Sequence, residues 1–267
     1  MLGAIVGDIV GSRYEFNNIR TKDFELFAAN CEFTDDSVMS LAIAKSLLEY
    51  NNDYESLKDI TIKNMVEIGR KYPRCGYGGH FYSWIMTDNH EPYNSFGNGA
   101  AMRVSACGFV ANSIEEAKKL SSIVTAVSHN HPEGIKGAEA TAVAVYLARI
   151  GKPIEEIKRY IVENYYNVDF TLDVIRDTYQ FNEICQDTVP QAMKAFFESN
   201  NFEDAIRNAI SIGGDSDTIG AITGAVAEAY YGIPTDIREK AKTYLDEELL
   251  GILEEFEGKY EGKIEKS

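Results

Sequence analysis

Three glycines spaced four residues apart, Gly3, Gly7 and Gly11, open this chain within a run of small apolar residues. Residues four apart share one face of an α-helix, so a helix over residues 3–11 presents a face without side chains. Such a face lets a second helix approach more closely than bulky side chains would permit. The N-terminal segment therefore predicts a tightly packed helical core.

The rest of the sequence continues the helical pattern, and no stretch alternates apolar and polar residues for long enough to predict a sheet. Thr34 is placed to cap a helix over about 35–50, and Ser113 with Glu116 has the pattern of a capping box. Segment 71–97 is rich in Gly, Tyr, Asn and His, which predicts loops around a short helix. Further helices are predicted over residues 54–70, 113–127, 132–149, 153–165, 188–199, 202–211, 216–231 and 234–260.

These elements predict an all-α fold, a compact orthogonal multi-helix bundle, in a single domain over residues 1–267. No linker, repeat or low-complexity block divides the chain, and the charged tail after about Glu257 is expected to fray. No apolar stretch reaches about 18 residues, so we expect no membrane span. The N-terminus lacks a basic segment and Asp8 interrupts its apolar run, which argues against a signal peptide.

The charge balance argues against several classes of partner. The chain carries 26 Lys and Arg against 42 Asp and Glu, a formal net charge of −16. General nucleic-acid binding needs a basic footprint, and so does a surface that binds anionic lipid. The four cysteines are far apart and form no C-x-x-C pair, which indicates reduced thiols in a cytoplasmic protein and not a zinc site. A monomer is the expected state.

Two acidic motifs stand at the starts of strongly apolar helices, one at residues 33–37 (FTDDS) and one at residues 213–218 (GGDSDT). Asp at a helix N-terminus is ordinarily a cap that complements the helix dipole, so independent caps are one interpretation. Four carboxylates entering an apolar core are costly without cations, and the nearest cations in the sequence are Lys45 and Arg207. The alternative is a site for one or two Mg²⁺, Mn²⁺ or Ca²⁺ ions, which prefer oxygen ligands.

Five segments of the chain form a distinctive set: GAIVGDIVGSRYEF, FTDDSVMSLAIA, FGNGAAMRVSACG, VSHNHPEGIKGAEATA and SIGGDSDTIGAITGAVAEAYYG. Taken together, they resemble the ADP-ribosylglycohydrolase family. They follow the family's order from Gly3 to Gly232 and therefore cover nearly the whole chain, although Ser37 stands where many members carry Thr. The resemblance implies an all-α fold with a cleft that contains two Mg²⁺ or Mn²⁺ ions.

The resemblance also implies roles for individual residues. The implied metal ligands are Thr34, Asp35, Asp36, Asp215, Asp217, Thr218 and Glu15. The implied substrate-binding residues, which include a diphosphate-cradling Gly-Asn-Gly loop and an aromatic ring for the adenine, are Ser95, Phe96, Gly97, Asn98, Gly99 and His129. Either Glu15 or Asp35 is the candidate base, and both can equally be plain metal ligands.

An anionic ADP-ribosyl group needs local positive potential to bind a chain of charge −16. The backbone N–H groups of loop 97–99, at the start of a following helix, are expected to supply that potential. A plain helix-entry turn is the alternative for this loop, and a core position is the alternative for Phe96.

The expected activity is metal-dependent hydrolysis of the glycosidic bond between ADP-ribose and its acceptor. The acceptor is either a modified protein side chain or the remainder of a small ADP-ribosyl compound. One alternative is a catalytically silent ADP-ribose-binding or structural protein on the same fold. Another is a two-metal phosphoesterase, which would be expected to use more His ligands.

Overall fold

The computed structural model describes the backbone of residues 1–264 and the side chains of residues 1–260. The secondary structure over this range is helical, and Gly97 and Ile184 form an isolated antiparallel bridge. The helices are α1 (Leu2–Ser12), α2 (Asp35–Glu49), α3 (Tyr54–Lys71), α4 (Gly79–Met86), α5 (Gly99–Met102), α6 (Ser105–Val110), α7 (Ile114–Ala126), α8 (Pro132–Arg149), α9 (Ile154–Asn164), α10 (Leu172–Ile175), α11 (Cys185–Phe197), α12 (Phe202–Ser211), α13 (Ser216–Tyr231), α14 (Thr235–Lys242) and α15 (Glu247–Ile264). None of these described helices combines the length and the apolar composition needed to cross a lipid bilayer.

The fold is built around α1 and α13, which run antiparallel with their backbones in contact. A Cβ atom added to Gly7 would lie 1.9 Å from the carbonyl oxygen of Gly220, and one added to Gly11 would lie 2.5 Å from the Cα of Asp217. The close approach expected from the glycine spacing is therefore confirmed. This contact places the C-terminal end of α1 against the first turn of α13.

Helix α13 is the central element of the core. Every residue from Ser216 to Ala229 is buried, which is consistent with the small apolar residues that dominate its sequence. Helices α1, α8, α11 and α12 pack against it. The acidic residues at the start of α13 consequently enter the interior of the bundle instead of a solvated helix end.

The predicted helix starts at Thr34 and Ser113 are confirmed by their capping hydrogen bonds. The Thr34 hydroxyl accepts from the N–H of Asp36 at 3.3 Å, and the Ser113 hydroxyl accepts from the N–H of Glu116 at 3.1 Å. The all-α architecture is therefore the one that the sequence predicts.

The predicted helix over 234–260 is wrong in one respect, because the structure divides it into α14 and α15. The Asp246 side chain accepts from the N–H groups of Glu248 and Leu249, at 3.1 Å and 3.0 Å, and so starts a new helix. Helix α15 extends to Ile264 with a non-helical backbone conformation at Tyr260 (φ −116°, ψ 19°), and residues 265–267 lie outside the described residues. Fraying after about Glu257 stays a prediction. Helix α11 begins three residues before the predicted residue 188, and α6 and α10 are short helices that the pattern did not predict.

Candidate functional site

Carboxylates from both ends of the chain meet beside the first turn of α13. Oxygen atoms of Asp8, Asp36 and Asp217 lie within 4.8 Å of one another. Oxygen atoms of Glu15, Asp215 and Asp217 form a second group within the same distance. Because Asp217 belongs to both groups, the two groups are contiguous. They are called here the inner group (Asp8, Asp36, Asp217) and the outer group (Glu15, Asp215, Asp217).

Asp8 joins α1 to the first turn of α2. Its Oδ1 accepts from the Thr34 hydroxyl at 2.7 Å. Its Oδ2 accepts from the N–H groups of Thr34 and Ser37, at 2.9 Å and 3.0 Å, and from the Ser37 hydroxyl. Burial raises the pKa of Asp8 to about 6, although these hydrogen bonds oppose the shift. Asp8 therefore orients the acidic turn of α2, and both of its carboxylate oxygens already accept hydrogen bonds from that turn.

The carboxylates of Asp35, Asp36 and Asp217 accept fewer hydrogen bonds than Asp8, so less offsets the cost of their burial. Desolvation raises the pKa of Asp35, Asp36 and Asp217 well above the usual range. The charge of Asp217 raises the first two further, and the charge of Asp215 acts on Asp217. Such a cluster is stable at neutral pH only when protons or cations neutralise it.

Asp36 offers the clearest free ligand atom in the inner group. Its Oδ2 accepts from the Thr218 hydroxyl at 3.2 Å. Its Oδ1 is buried and has no hydrogen-bond partner among the described residues. An unpartnered carboxylate oxygen beside other carboxylates is suited to coordinating a cation.

The outer group has properties suited to proton transfer. Glu15 is half-buried, and desolvation with the charges of Asp217, Asp8 and Glu183 raises its pKa to about 8. Desolvation also raises the pKa of Asp215 to about 6. A carboxylate whose pKa lies near the working pH can accept and return a proton efficiently.

Asn98 connects the glycine loop 97–99 to these carboxylates. Its side-chain amide donates to Asp215 Oδ2 at 2.6 Å and to the Thr188 hydroxyl at 3.1 Å. The loop is thereby held at a fixed position relative to the outer group. The sequence of the loop predicted a position next to a ligand, but it did not predict the long-range hydrogen bond from Asn98 to Asp215 at the start of α13.

The backbone of the loop is already committed inside the chain. The N–H of Gly97 donates to the Ser95 hydroxyl at 3.1 Å, and the N–H of Asn98 donates to the carbonyl oxygen of Glu183 at 2.7 Å. The helix that follows, α5, has only four residues. Two of the N–H groups expected to bind an anion are thus in use, and the positive potential needs another source.

Arg103 supplies that positive charge. It is fully buried and lines the same cavity as the carboxylates. The sequence pointed to Lys45 and Arg207 as the nearest cations and did not place any cation at this position. Its Nη2 donates to the Ser128 hydroxyl at 2.8 Å, whereas Nε and Nη1 have no hydrogen-bond partner among the described residues. Burial lowers the pKa of Arg103 to about 10, so the guanidinium remains charged at neutral pH.

His129 lies between Ser128 and the glycine loop. Its Nδ1 is 2.8 Å from the Ser128 hydroxyl oxygen. A Cβ atom added to Gly99 would lie 3.4 Å from its Nε2, so this nitrogen is next to the loop. Desolvation and the charge of Arg103 lower the pKa of His129 well below its usual range, which makes the imidazole neutral.

Most of these groups line one cavity of about 320 Å³, and Asp8, Ser128 and Thr188 are not among its lining residues. The residues expected from the sequence that form its wall are Glu15, Asp35, Asp36, Ser95, Gly97, Asn98, Gly99, His129, Asp215, Asp217 and Thr218. Thr34 lies behind the wall, where its hydroxyl donates to Asp8. Phe96 is not among the lining residues, and its 40% exposed ring lies 5.0 Å from the ring of His131.

Some wall residues were not identified from the sequence, namely His80, Phe81, Tyr93, Arg103 and Glu183. Arg103 did carry a signal, because it is the lone cation in the apolar run from Ala100 to Cys107. A charged side chain in such a run has to be paired or functional. The other four lie in or beside loops, where composition alone does not distinguish a wall residue from a surface residue.

Comparison with known proteins identifies the family of the chain. The family profile described as ADP-ribosylglycohydrolase matches residues 1–264. The ADP-ribosylhydrolase ARH3 of Bos taurus is 24% identical to this chain, over 94% of this chain and 89% of its own length. The ADP-ribosylarginine hydrolase Tri1 of Pseudomonas putida (strain GB-1) is 26% identical, over 87% of this chain and 70% of its own length.

The fold is also found in a solved structure, described as an ADP-ribosylglycohydrolase-related protein complex. The TM-score is 0.66 with 22% sequence identity, and the match covers 94% of this chain and 93% of the other. The family profile includes every residue named above around the cavity. From this coverage it follows that the chain belongs to the ADP-ribosylglycohydrolase family.

Proposed function

We propose that this chain is a metal-dependent hydrolase that cleaves the glycosidic bond between ADP-ribose and a modified protein side chain or a small ADP-ribosyl compound. One observation carries the proposal: carboxylates of both contiguous groups and a buried guanidinium line the same cavity. ADP-ribose has the complementary chemistry, because it carries vicinal ribose hydroxyls at one end and a diphosphate in its middle. ARH3 and Tri1, both named as ADP-ribosyl hydrolases, support the same reaction type.

We propose that the carboxylates hold two Mg²⁺ or Mn²⁺ ions. The donor set consists of carboxylate and hydroxyl oxygens, which these ions prefer and which Zn²⁺ does not. The free Oδ1 of Asp36 fits this assignment, and Asp217 is placed to contribute to both ions. The proposed ligands are Glu15, Thr34, Asp35, Asp36, Asp215, Asp217 and Thr218. When bound, the ions would orient the ribose hydroxyls and polarise water.

The chain's own residues then have to manage the protons of the reaction. Hydrolysis joins a water oxygen to the anomeric carbon of the distal ribose and breaks the bond from that carbon to the acceptor nitrogen or oxygen. The water gives up a proton, and the departing acceptor gains one. We assign the first transfer to Glu15, which lines the cavity beside Asp215 and Asp217, with Asp35 on the same wall as the alternative base.

Asn98 and the glycine loop are proposed to position the substrate. The Asn98 amide fixes the loop to Asp215, so a diphosphate bound beside the loop sets where the ribose meets the outer group. Holding two reacting groups in a fixed geometry is one of the larger contributions to catalysis. A ligand contact from Ser95 fits the same arrangement, because Ser95 is on the wall. Phe96 would have to turn toward the cavity to contact the adenine.

The proposal is tested by following the release of free ADP-ribose from Arg-linked, Ser-linked and acetyl-linked ADP-ribosyl substrates. With Mg²⁺ or Mn²⁺ we expect hydrolysis of at least one substrate, and with EDTA or in Asp217→Asn we expect none. Asp236→Asn, which changes an exposed Asp of α14, is the matched control and should be fully active. Tight ADP-ribose binding without release from any substrate would instead identify a silent binding protein, and the absence of both would refute the proposal.

We also propose that residues 1–267 act as one domain, and that the chain is a cytoplasmic monomer. The domain proposal is supported by the meeting of residues from both ends of the chain in one site. The four cysteines are free, as expected for a reducing compartment. A single unfolding transition and a monomer mass by light scattering are the expected results.

A further inference from the structure

We propose that Arg103 is a positioning residue for the substrate anion. Through Ser128 it holds His129 as a neutral imidazole with its proton on Nε2, so that His129 donates a hydrogen bond to an anionic oxygen beside loop 97–99. The identity of that anion, the diphosphate of ADP-ribose, rests on the proposed function. The relay itself rests on the geometry of three buried side chains.

The direction of each hydrogen bond in the relay follows from the chemistry of arginine. A guanidinium has donors and no acceptor, so the contact of 2.8 Å from Arg103 Nη2 makes the Ser128 hydroxyl oxygen an acceptor. The hydroxyl proton is then available for His129 Nδ1, which is 2.8 Å away. Arg103 Nη2 is also 3.5 Å from Nδ1 and can again only donate. A serine hydroxyl oxygen can also accept two hydrogen bonds, so Nη2 decides the direction: it would face a second donor if Nδ1 carried a proton. Nδ1 accordingly accepts, and a neutral imidazole that accepts at Nδ1 carries its proton on Nε2.

The surroundings of His129 disfavour the imidazolium form. The ring lies between the aromatic rings of Phe81 and Tyr93, with centroid distances of 5.9 Å and 5.6 Å. The side chain is 5% exposed, and the nearest charge is the Arg103 guanidinium. No ion pair joins His129 to a carboxylate in the part of the chain that the structure describes. A second positive charge at this place would be costly.

The Nε2 atom is next to a surface that has no side chain of its own. Cβ atoms added to Gly97 and Gly99 would lie 3.6 Å and 3.4 Å from it. The contact at Gly99 is an ordinary van der Waals distance, and the tightest contact at Gly97 is 3.3 Å to the Ser95 hydroxyl oxygen, at the end of a side chain that can shift. Packing within the chain therefore gives little reason for glycine at either position. The two glycines instead leave space beside an N–H donor, as expected where a ligand approaches the backbone.

Arg103 has donors to spare for the same ligand. Its Nε and Nη1 are buried and have no hydrogen-bond partner among the described residues, although the residue lines the cavity. A buried unpaired donor is destabilising, and Arg103 is fully buried, carries two such groups and lines the cavity. The relay and the unpartnered donors thus both point to a ligand anion at this side of the cavity.

The tautomer of His129 is measurable by NMR on protein labelled with ¹⁵N-histidine. The chain has four histidines, and the signals of His129 are those lost in His129→Gln. In the wild-type protein we expect a proton on Nε2 and a bare Nδ1 throughout the pH range in which the fold is intact. A proton on Nδ1, or a charged ring at neutral pH, would overturn the inference without any variant.

Arg103→Met tests whether Arg103 sets this state. The variant keeps an unbranched apolar side chain but removes the donor to Ser128, whose hydroxyl can then donate or accept. We expect a mixture of the two tautomers and an ADP-ribose affinity, measured by calorimetry, that falls by about ten- to a hundredfold. Arg149→Met is the matched control, since Arg149 is half-buried and does not line the cavity. It should change neither readout.

The outcomes separate this inference from the proposed function. An Arg103→Met variant with a wild-type tautomer and unchanged affinity overturns the relay, even if the enzyme hydrolyses ADP-ribosyl substrates. A wild-type protein that shows the expected tautomer but neither binds ADP-ribose nor releases it from any substrate refutes the proposed function, while inorganic pyrophosphate then tests the anion site. Binding of pyrophosphate that weakens in Arg103→Met supports the relay, and unchanged pyrophosphate binding overturns it.

Discussion

Replacement of Gly7 by alanine tests whether the backbone contact between α1 and α13 determines the geometry of the site. The added methyl carbon would lie 1.9 Å from the carbonyl oxygen of Gly220. A relaxed carbon–oxygen contact is about 3.3 Å, so the two helices would have to separate locally by about 1.4 Å. The methyl carbon is bonded directly to the backbone of α1, and the carbonyl oxygen belongs to the backbone of α13, so no side-chain rotation can relieve the overlap.

The expected cost has a structural and a functional part. Overpacking of a rigid core costs about 1–3 kcal/mol, and we expect about 3 kcal/mol here because the backbone itself has to move. Asp8 is the next residue of α1, and its hydrogen bonds to the N–H groups of Thr34 and Ser37 are 2.9 Å and 3.0 Å long. A shift of about 1 Å would break them by the distance criterion for such bonds. The acidic turn of α2 would then lose its anchor.

Urea unfolding followed by circular dichroism, with and without Mg²⁺, measures both parts. Gly251→Ala is the matched control, since a Cβ atom there has nothing within 4 Å on the surface of α15. That control should be neutral or gain about 0.5–1 kcal/mol from the lower backbone entropy of the unfolded chain. If Gly7→Ala were as stable as Gly251→Ala and responded equally to Mg²⁺, the backbone contact would not have the role assigned to it.

Four further substitutions address the site. Asp217→Asn removes the carboxylate shared by both groups, so Mg²⁺ should no longer raise the unfolding temperature in a thermal scan, and an unchanged response would contradict the metal assignment. Glu15→Gln should bind ADP-ribose but release it from substrate about 10²–10⁴-fold more slowly, and a near wild-type rate would transfer the role of base to Asp35. Gly99→Ala should unfold like the wild type, because its Cβ would lie 3.4 Å or more from other atoms, yet it should bind ADP-ribose about tenfold more weakly by calorimetry. Burial lowers the pKa of native His129, so as the pH falls below about 6.5 the unfolded chain binds a proton that the native chain does not. The wild type should therefore lose stability relative to His129→Gln on acidification, by up to about 1.4 kcal/mol per pH unit in urea titrations, and a constant difference would contradict the neutral imidazole.

Local features of the fold were predictable because their causes are local. A cap such as Thr34 or Ser113 acts on an N–H two or three residues further along, so the sequence contains both partners. The break between α14 and α15 was missed because the helical periodicity continues through residues 243–246. The signal was nevertheless present in Asp246, a strong N-cap residue followed by two glutamates.

The contents of the candidate site divide in the same way. The two acidic motifs were predictable, because each is a compact run of ligand-type residues at a helix start. The partner of each polar group was not predictable from residue spacing. The N–H of Asn98 donates to Glu183, and Arg103 donates to Ser128, and both contacts depend on how distant segments pack. The sequence therefore predicted where the carboxylates lie, but it did not predict that the Arg103 guanidinium supplies the positive charge.

The separation of unlike charges in this cavity is the property that most restricts what it can bind. On one side, desolvation and mutual repulsion raise the pKa values of Asp36 and Asp217. On the other side, Arg103 is buried with two donors unpartnered, and no ion pair links it to a carboxylate among the described residues. The neutral amide of Asn98 lines the same cavity and ties the loop to Asp215.

A direct salt bridge would neutralise both sides at once, and the removal of either partner would then be strongly destabilising. The described residues contain no such ion pair with Arg103, so the charges on each side are left to be neutralised from outside the chain. Cations can neutralise the carboxylates, and an anion can use the donors of Arg103 and His129. Under the proposed function, a nucleotide without a free ribose diol, or a ribose without a diphosphate, would satisfy only one side. We therefore expect selectivity for a ligand that has both parts.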